Sequence, residues 1–249
     1  MAESALNAHA DQVALMLMHE PQTNEVRRSA CLLGGFLTIG RETGLPLRCF
    51  ELGASAGLNS LWDRFRYEID GKSWGDPDSA VIVPSRWEGQ GPALDVTLFV
   101  AERRACDRRP VDIRQAADVT RLLSYCWPEQ RERMERLLAA ITLAMVAPVE
   151  VQAEQAARWV GQAAPRSGSA TVVFHSIVWQ YIPPAEQAEI FATLQSHAAR
   201  ATANAPFFWL RMELNESSRQ FELRLWTGDR HEDRLLAIVH PHGEFALWQ

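Results

Sequence analysis

The chain has 249 residues, a formal net charge of -6, a pI near 5.7, 47% apolar residues and 22% charged residues. This is the composition of an ordinary globular protein, and the length suffices for one substantial hydrophobic core. The acidic balance disfavours a nucleic-acid partner, because such partners recruit basic surface. No stretch has the length and apolarity of a membrane span or the form of a signal peptide, so we expect a soluble, cytoplasmic protein without a membrane partner.

The cysteines, histidines and arginines indicate no metal or nucleic-acid site. The four cysteines lack Cys-x-x-Cys pairing, as is typical of reduced cysteines in the cytosol. His240 and His242 have no third ligand nearby in sequence, so no metal site is predicted. Five arginines share one segment without interleaved aromatic residues, which favours an ion-paired or solvated face. These are Arg103, Arg104, Arg108, Arg109 and Arg114.

Two helical patterns precede the first strand. Residues 5–18 are compatible with a short helix and residues 24–43 with a second, which together predict a helical cap over residues 1–45. Gly44 and Pro46 end the second helix, and Leu47–Leu52 is predicted to be a buried strand.

The middle of the chain alternates between strands and helices. Residues 67–92 are rich in Gly, Pro, Asp and Trp, so an irregular insertion is predicted there. A strand is predicted over 94–100, possibly extending towards Cys106. Further strands are predicted over 149–152, 170–174 and 207–212, with helices within 111–127, from Pro128 and from Pro183.

The end of the chain changes character. Residues 221–227, 235–240 and 244–248 are apolar runs separated by turn residues, which predicts an antiparallel meander. The fold prediction is therefore α/β: a doubly wound, mostly parallel, Rossmann-like sheet over residues 46–249, finished by this meander.

The most informative segment is the turn after the first strand, Gly53-Ala54-Ser55-Ala56-Gly57. Leu58, Leu61, Trp62 and Phe65 follow it at helical spacing. Glycines permit close approach of a ligand to the backbone, and a helix N-terminus offers free N–H groups. We therefore expect the turn to hold an anion or carboxylate.

Three known chemistries fit this turn poorly. A dinucleotide fingerprint would need glycines at Ser55 and Leu58, and a P-loop is excluded because Lys72, the only lysine, lies outside the turn. The segment does satisfy Gly-x-Ser-x-Gly, with His240 or His242 downstream, so a serine hydrolase using Ser55 remains a lesser alternative. Against it, helical patterns rather than strands come before the turn, and no His-Gly-Gly-Gly motif occurs. A turn that binds no ligand also remains open.

The remaining chemistry is the first turn of an S-adenosylmethionine methyltransferase. An acidic residue and a Gly-x-x-x-Gly loop at the end of the first strand would meet the amino-acid part of this cofactor. Glu51 would attract its ammonium and sulfonium groups, and no phosphate has to be accommodated.

Several motifs together resemble the bacterial domain-of-unknown-function family 2332. They are Pro21-Gln22-Thr23-Asn24-Glu25-Val26, the segment from Glu51 to Asn59, Cys106-Asp107 with Pro110 and Asp112, Trp127-Pro128-Glu129-Gln130, the segment from Phe174 to Tyr181, and His242-Gly243. The resemblance covers nearly the whole chain. It implies a methyltransferase-like domain by analogy of fold. It also implies a longer helical segment before the first motif, so the cap over 1–45 is expected to be shortened.

The methyltransferase analogy implies a set of cofactor contacts. The methionine end of S-adenosylmethionine would meet Glu51, Gly53, Ser55, Gly57 and Asn59. Two further acids would complete the site: Asp107 after the second strand would bind the ribose hydroxyls, and Glu154 after the third strand would meet the adenine amine.

The remaining site residues would face the methyl acceptor. His175, at the end of the fourth strand, would take a proton from the acceptor during transfer. Tyr181 joins it in the expected catalytic site, and Trp179 would wall the sulfonium or an apolar acceptor. Arg211 and Glu213, on the fifth strand, would bind the acceptor. This acceptor is expected to be a small or medium molecule of unknown identity, and a methyltransferase-like binding protein without turnover is the alternative. No oligomeric state is predicted.

Overall fold

The structure is a computed structural model that describes residues 2–17 and 22–249. The helices are α1 Ala2–Ala8, α2 Ala10–Leu17, α3 Ser29–Thr43, α4 Ala116–Ser124, α5 Arg131–Val146, α6 Ala156–Trp159 and α7 Pro184–Ala198. The strands are β1 Leu47–Leu52, β2 Arg66–Ile69, β3 Lys72–Gly75, β4 Ile82–Glu88, β5 Val100–Asp107, β6 Val151–Ala153, β7 Ala170–Ser176, β8 Phe207–Asn215, β9 Gln220–Thr227, β10 Glu232–Val239 and β11 Phe245–Trp248. Short 3-10 helices occupy Val26–Arg28, Leu58–Arg64, Val160–Gln162 and Trp179–Tyr181.

All strands belong to one 11-stranded sheet in the order β3-β2-β4-β11-β10-β9-β8-β7-β1-β5-β6. The pairs formed among β6, β5, β1, β7 and β8 are parallel, and those from β8 through β11 are antiparallel. The predicted α/β class, mostly parallel sheet and antiparallel C-terminal meander are confirmed.

Helices cover both faces of the sheet. Along β1, Leu47 and Cys49 pack in one core cluster with α3, while Phe50 and Leu52 pack in a second cluster with α6 and α7. This division follows from the alternation of side chains along a strand. Glu51 lies two residues after Cys49 in β1, so its side chain is on the same face of the sheet, towards α3.

The segment predicted to be an irregular insertion over residues 67–92 instead contains most of three strands. β2 pairs with β3 antiparallel and with β4 parallel, and β4 joins the main sheet through β11. Tyr67 and Val83 are fully buried, so the segment contributes to the main core. The sequence does not predict these strands because β2 and β3 have only four residues each, β3 ends at Gly75, and most residues of β3 are exposed.

Other element boundaries differ from the sequence prediction. Residues 94–99 are not a strand, and β5 begins at Val100. The first predicted helix is two helices, α1 and α2, and its expected last residue, Met18, lies outside the described residues. α3 is mostly buried against the sheet, so it belongs to the core of the α/β domain.

Three further observations bear on the sequence predictions. All four cysteines are buried and free. Three arginines of the predicted basic segment form ion pairs, as expected: Arg103 with Asp63, Arg108 with Glu186 and Arg114 with Asp112. Across the described ranges, none of the helices combines the length and apolarity needed to cross a bilayer.

Candidate functional site

The turn after β1 is built on left-handed backbone. Gly53 and Gly57 have φ angles of 66° and 73°. Ser55 also has a positive φ, 55°, which is uncommon for a residue with a side chain. Such strain concentrates at functional sites, so Ser55 is a candidate site residue.

Most of the N–H groups of this turn already have protein acceptors. Ala54 N donates to Cys106 O at 3.0 Å, Ser55 N to Asp107 Oδ2 at 2.8 Å, and Leu58 N to Asn24 Oδ1 at 3.4 Å. The segment that follows is a seven-residue 3-10 helix with a kink at Leu61 rather than an α-helix. The expectation that the turn holds an anion on free N–H groups is therefore wrong for these donors.

Asp107 joins the ends of two strands. Its Oδ2 accepts from Ser55 N, and its Oδ1 accepts from Arg109 N at 2.8 Å and from Gln22 Nε2 at 3.3 Å. The carboxylate is buried. It therefore fixes the turn after β1 against the end of β5 and still has acceptor lone pairs to spare.

Glu51 is a buried carboxyl group at the end of β1. Its Oε2 accepts a hydrogen bond from Ser60 Oγ at 2.5 Å. Burial raises the pKa of Glu51 to about 8; the hydrogen bond from Ser60 opposes this rise, and the nearby charge of Asp107 adds to it. The group is consequently mostly protonated at neutral pH.

A cavity of about 540 Å³ opens at the carboxyl ends of β1, β5, β6 and β7. Its volume is in the range of small-molecule sites. The lining residues used below are Asn24, Arg28, Glu51, Gly53, Ser55, Asn59, Asp107, Arg109, Arg121, Glu154, Ser176, Val178, Tyr181 and His242. Acids at the ends of three strands and several arginines therefore surround one space.

Two buried polar atoms of the cavity lining have no partner among the described residues. They are Ser55 Oγ and Asn59 Oδ1. Asn59 is fixed in orientation because its Nδ2 donates to Glu25 O at 3.2 Å. Buried polar atoms normally have hydrogen-bond partners, so these two are suited to receive donors from a ligand.

Comparison with protein-family models matches residues 1–248 to a family described as an uncharacterized protein conserved in bacteria, DUF2332. The chain belongs to the DUF2332 family. Comparisons with curated proteins and with solved structures give no match.

Five of the six motifs that resemble DUF2332 converge on the cavity. They contribute Asn24, the turn from Glu51 to Asn59, Asp107, the segment from Ser176 to Tyr181, and His242. Gly243, next to His242, packs against the backbone of Arg27, because a Cβ there would lie 2.1 Å from Arg27 O. Distant parts of the DUF2332 sequence are therefore brought together around one site.

Seven of the twelve expected site residues line this cavity: Glu51, Gly53, Ser55, Asn59, Asp107, Glu154 and Tyr181. Gly57 does not line it, because the position of its missing Cβ faces Val151 and Val149. Glu154 follows β6, and its Oε1 accepts only the adjacent Gln155 N at 2.9 Å. Tyr181 is half exposed at the cavity.

His175 requires a correction. Its side chain is fully buried. Phe174, one residue earlier, pairs with Glu51 and shares its face of the sheet, so the His175 side chain lies on the opposite face, towards α7. Nδ1 lies 2.7 Å from Glu213 Oε1, and Nε2 accepts from Trp209 Nε1 at 3.0 Å. Because an indole N–H can only donate, the proton of the imidazole is on Nδ1. Both nitrogens are occupied, so the expected role as proton acceptor does not fit.

The residues expected to bind the acceptor are likewise structural. Trp179 stacks on His175 with ring centroids 5.3 Å apart, and Arg211 lies over Trp209 and pairs with Asp233 at 2.5 Å. Glu213 Oε1 also accepts from Val178 N at 3.0 Å and from Trp179 N at 3.2 Å. Glu213 thus holds the 177–179 turn, whose residue Val178 lines the cavity.

Sequence reasoning missed several side chains of the lining, among them Arg28 and His242. Arg28 follows the Asn24-Glu25 motif, and the helical pattern over 24–43 draws attention only to apolar residues. The sequence suggests His242 only as a member of a hydrolase triad or of a metal pair. No histidine hydrogen bonds to Ser55 Oγ within the described part of the chain, which removes support for the triad.

Proposed function

We propose that this DUF2332 protein binds S-adenosylmethionine and transfers its methyl group to a small acceptor. The observation that carries the proposal is the arrangement of three acids, Glu51, Asp107 and Glu154, at the ends of β1, β5 and β6 around one cavity. Successive strands supply them, as expected for the amino-acid, ribose and adenine parts of this cofactor.

The topology supports a nucleoside-type ligand. In chain order, the strands β1, β5, β6, β7 and β8 form the parallel array 3-2-1-4-5. Doubly wound sheets bind ligands outside the carboxyl ends of their strands, at the point where the strand order reverses. Here that point lies between β1 and β7, and both strands end at the cavity.

The strand-end acids of the cavity suit the cationic groups of S-adenosylmethionine. When bound, S-adenosylmethionine supplies an electrophilic methyl group on a sulfonium. Glu51 would ionise beside the ammonium, because a nearby positive charge favours the carboxylate. Asn59 Oδ1 and Ser55 Oγ would accept hydrogen bonds, and Asp107 and Glu154 would accept from the ribose hydroxyls and the adenine amine.

His242 is the residue best suited to take the acceptor proton. It lines the cavity, and burial lowers the pKa of its imidazole, so the ring is neutral near pH 7. S-adenosylmethionine would supply the methyl group to a lone pair of the acceptor and keep the electrons of the broken carbon–sulfur bond on sulfur, and His242 would take the acceptor proton.

The test is calorimetric titration of S-adenosylmethionine, S-adenosylhomocysteine and, as a control, NAD into the full chain. We expect saturable binding of the first two ligands and not of NAD.

Glu154→Ala should weaken binding by about tenfold, since Glu154 has no ion pair to lose. Glu150→Ala, which changes a nearby carboxylate outside the cavity, is the matched control. A folded protein without saturable cofactor binding would rule out the proposal; binding without turnover on any acceptor would favour the non-catalytic binding protein.

A further inference from the structure

Arg28 lines the cavity at the β7 side. Its Nε donates to Pro241 O at 2.9 Å, and its Nη1 lies 3.4 Å from Ser176 O. Ser176 is the last residue of β7, and Pro241 belongs to the turn that carries His242. The guanidinium is therefore fixed by two carbonyl groups, and its remaining N–H donors are available to the cavity.

No carboxylate of the described residues lies within ion-pair distance of Arg28. The carboxylate of Glu25 is engaged by Arg133 at 2.6 Å and by Arg27 N at 3.1 Å. Two other arginines of the lining are paired: Arg121 pairs with Asp118 at 3.2 Å, and Arg108 pairs with Glu186. Arg109 has no ion pair among the described residues but is exposed, whereas Arg28 is partly buried. Partly buried charges are normally paired, so Arg28 is an unusual group to find facing a cavity.

The three strand-end acids of the cavity and Arg28 lie at different strands of the sheet. Glu154, Asp107 and Glu51 lie at the ends of β6, β5 and β1, whereas Arg28 contacts the end of β7. These three acids are the residues assigned above to S-adenosylmethionine. The β7 side, where His242 also lies, is therefore left for the second substrate.

We propose that Arg28 binds a carboxylate group of the methyl acceptor, so that the acceptor is a carboxylic acid methylated at another heteroatom. This inference rests on the proposed function. The planar guanidinium matches a carboxylate through paired N–H donors. Its charge would withdraw electron density from the bound carboxylate, so the attacking lone pair belongs to a different group of the acceptor.

A single charge fits better than a phosphate. Two guanidinium nitrogens already contact carbonyl groups, and Glu25 and Glu213 act electrostatically on Arg28. A dianion bound at Arg28 would carry an uncompensated negative charge near these two carboxylates. A monoanionic carboxylate would balance Arg28 alone.

The test uses nitrogen-15 NMR of the arginine Nε–H groups in the full chain saturated with S-adenosylhomocysteine. Benzoate and hexanoate are the carboxylate probes, benzamide and hexanamide are their neutral counterparts, and inorganic phosphate is the third class. We expect the carboxylates alone to shift the Arg28 resonance, which is assigned by its absence in Arg28→Gln. That variant should bind the carboxylates at least about tenfold more weakly.

Two variants separate binding from folding. Arg28→Lys keeps a cation and should retain part of the affinity, because lysine attracts the carboxylate without bidentate geometry. Arg109→Gln is the matched control, since Arg109 also lines the cavity without an ion pair but is exposed. Its carboxylate affinity should equal that of the wild type.

Several outcomes would overturn the inference. These are equal shifts with the amides, tighter binding of phosphate, and loss of carboxylate binding in Arg109→Gln rather than in Arg28→Gln. A fourth is weaker binding of S-adenosylhomocysteine, but not of methylthioadenosine, to Arg28→Gln, which would assign Arg28 to the carboxylate of the cofactor. Absence of S-adenosylhomocysteine binding to the wild type would instead refute the proposed function, and the same probes would still report on Arg28 in the unliganded protein.

Discussion

Gly53 packs directly against Val178: a Cβ built on Gly53 would lie 2.3 Å from Val178 Cγ2. The contact joins the turn after β1 to the turn after β7, and both residues line the cavity. The shape of the site therefore depends on the absence of a side chain at Gly53.

Gly53→Ala should lower the free energy of unfolding by about 2–4 kcal/mol, because the new methyl group combines a left-handed backbone with a clash. In a Val178→Ala background the same change should cost less, and urea unfolding of the four proteins measures the difference. Gly161→Ala, where no atom lies within 4 Å, is the control and should be nearly neutral. Equal losses in both backgrounds would contradict the clash.

Glu51 should make the fold less stable as pH rises. Its pKa is about 8 in the folded protein against an ordinary value of 4.5, because burial favours the neutral acid. Below 4.5 the group is neutral in both states; between 4.5 and 8 only the unfolded chain ionises, so stability falls across this window. Glu51→Gln should remove this slope, worth a few kcal/mol, as measured by urea unfolding at about pH 5, 7 and 9. An unchanged slope would show that other groups cause it.

The same carboxyl group should couple ligand binding to proton release. If Glu51 ionises beside the ammonium of S-adenosylmethionine, affinity should rise with pH, by up to about tenfold per unit, and level off above the pKa of about 8. Calorimetry in two buffers of different ionisation enthalpy measures the protons released. Glu51→Gln should remove the contribution of this group, and equal release by both proteins would exclude Glu51 as its source.

Glu213 should act as a positioning residue for the turn after β7. Glu213→Ala removes the acceptor of His175, Val178 N and Trp179 N, and should cost about 2–4 kcal/mol of stability. Hydrogen exchange should be faster at the Val178 and Trp179 amides. Glu216→Ala, at an exposed position after β8, should change neither quantity. Unchanged protection of the two amides would remove this role from Glu213.

His242 should affect turnover rather than cofactor affinity. Once an acceptor is found, His242→Gln should reduce the rate of methyl transfer by about 100-fold and leave the affinity for S-adenosylhomocysteine unchanged. His240→Gln is the matched control, because His240 accepts the His242 N–H at 3.2 Å but does not line the cavity. A similar loss of rate in both variants would indicate that the 240–243 turn has been disturbed.

The sequence predicts the elements with strong apolar periodicity and misses those held by tertiary contacts. β1, β7 and the C-terminal meander follow from apolar runs between turn residues, whereas β3 is mostly exposed and is stabilised by its pairing with β2. The candidate site divides in the same way. Glu51, Asp107 and Glu154 are recognisable because they end strands, but the orientation of a strand-end residue depends on parity. Its position at a strand end therefore predicts His175 in the cavity, although the side chain faces α7. No strand-end pattern predicts Arg28, because it comes from a different part of the chain.

The pairing of β4 with β11 has a consequence for how the protein is made. In register, Arg86 lies beside Phe245, and β11 separates β4 from β10 within the sheet. β2, β3 and β4 therefore leave the ribosome long before β11, the strand that connects them to the rest of the sheet. Until β11 pairs with β4, the β4 edge of this three-stranded unit stays unpaired. We therefore expect the new chain to depend on chaperones until that pairing forms.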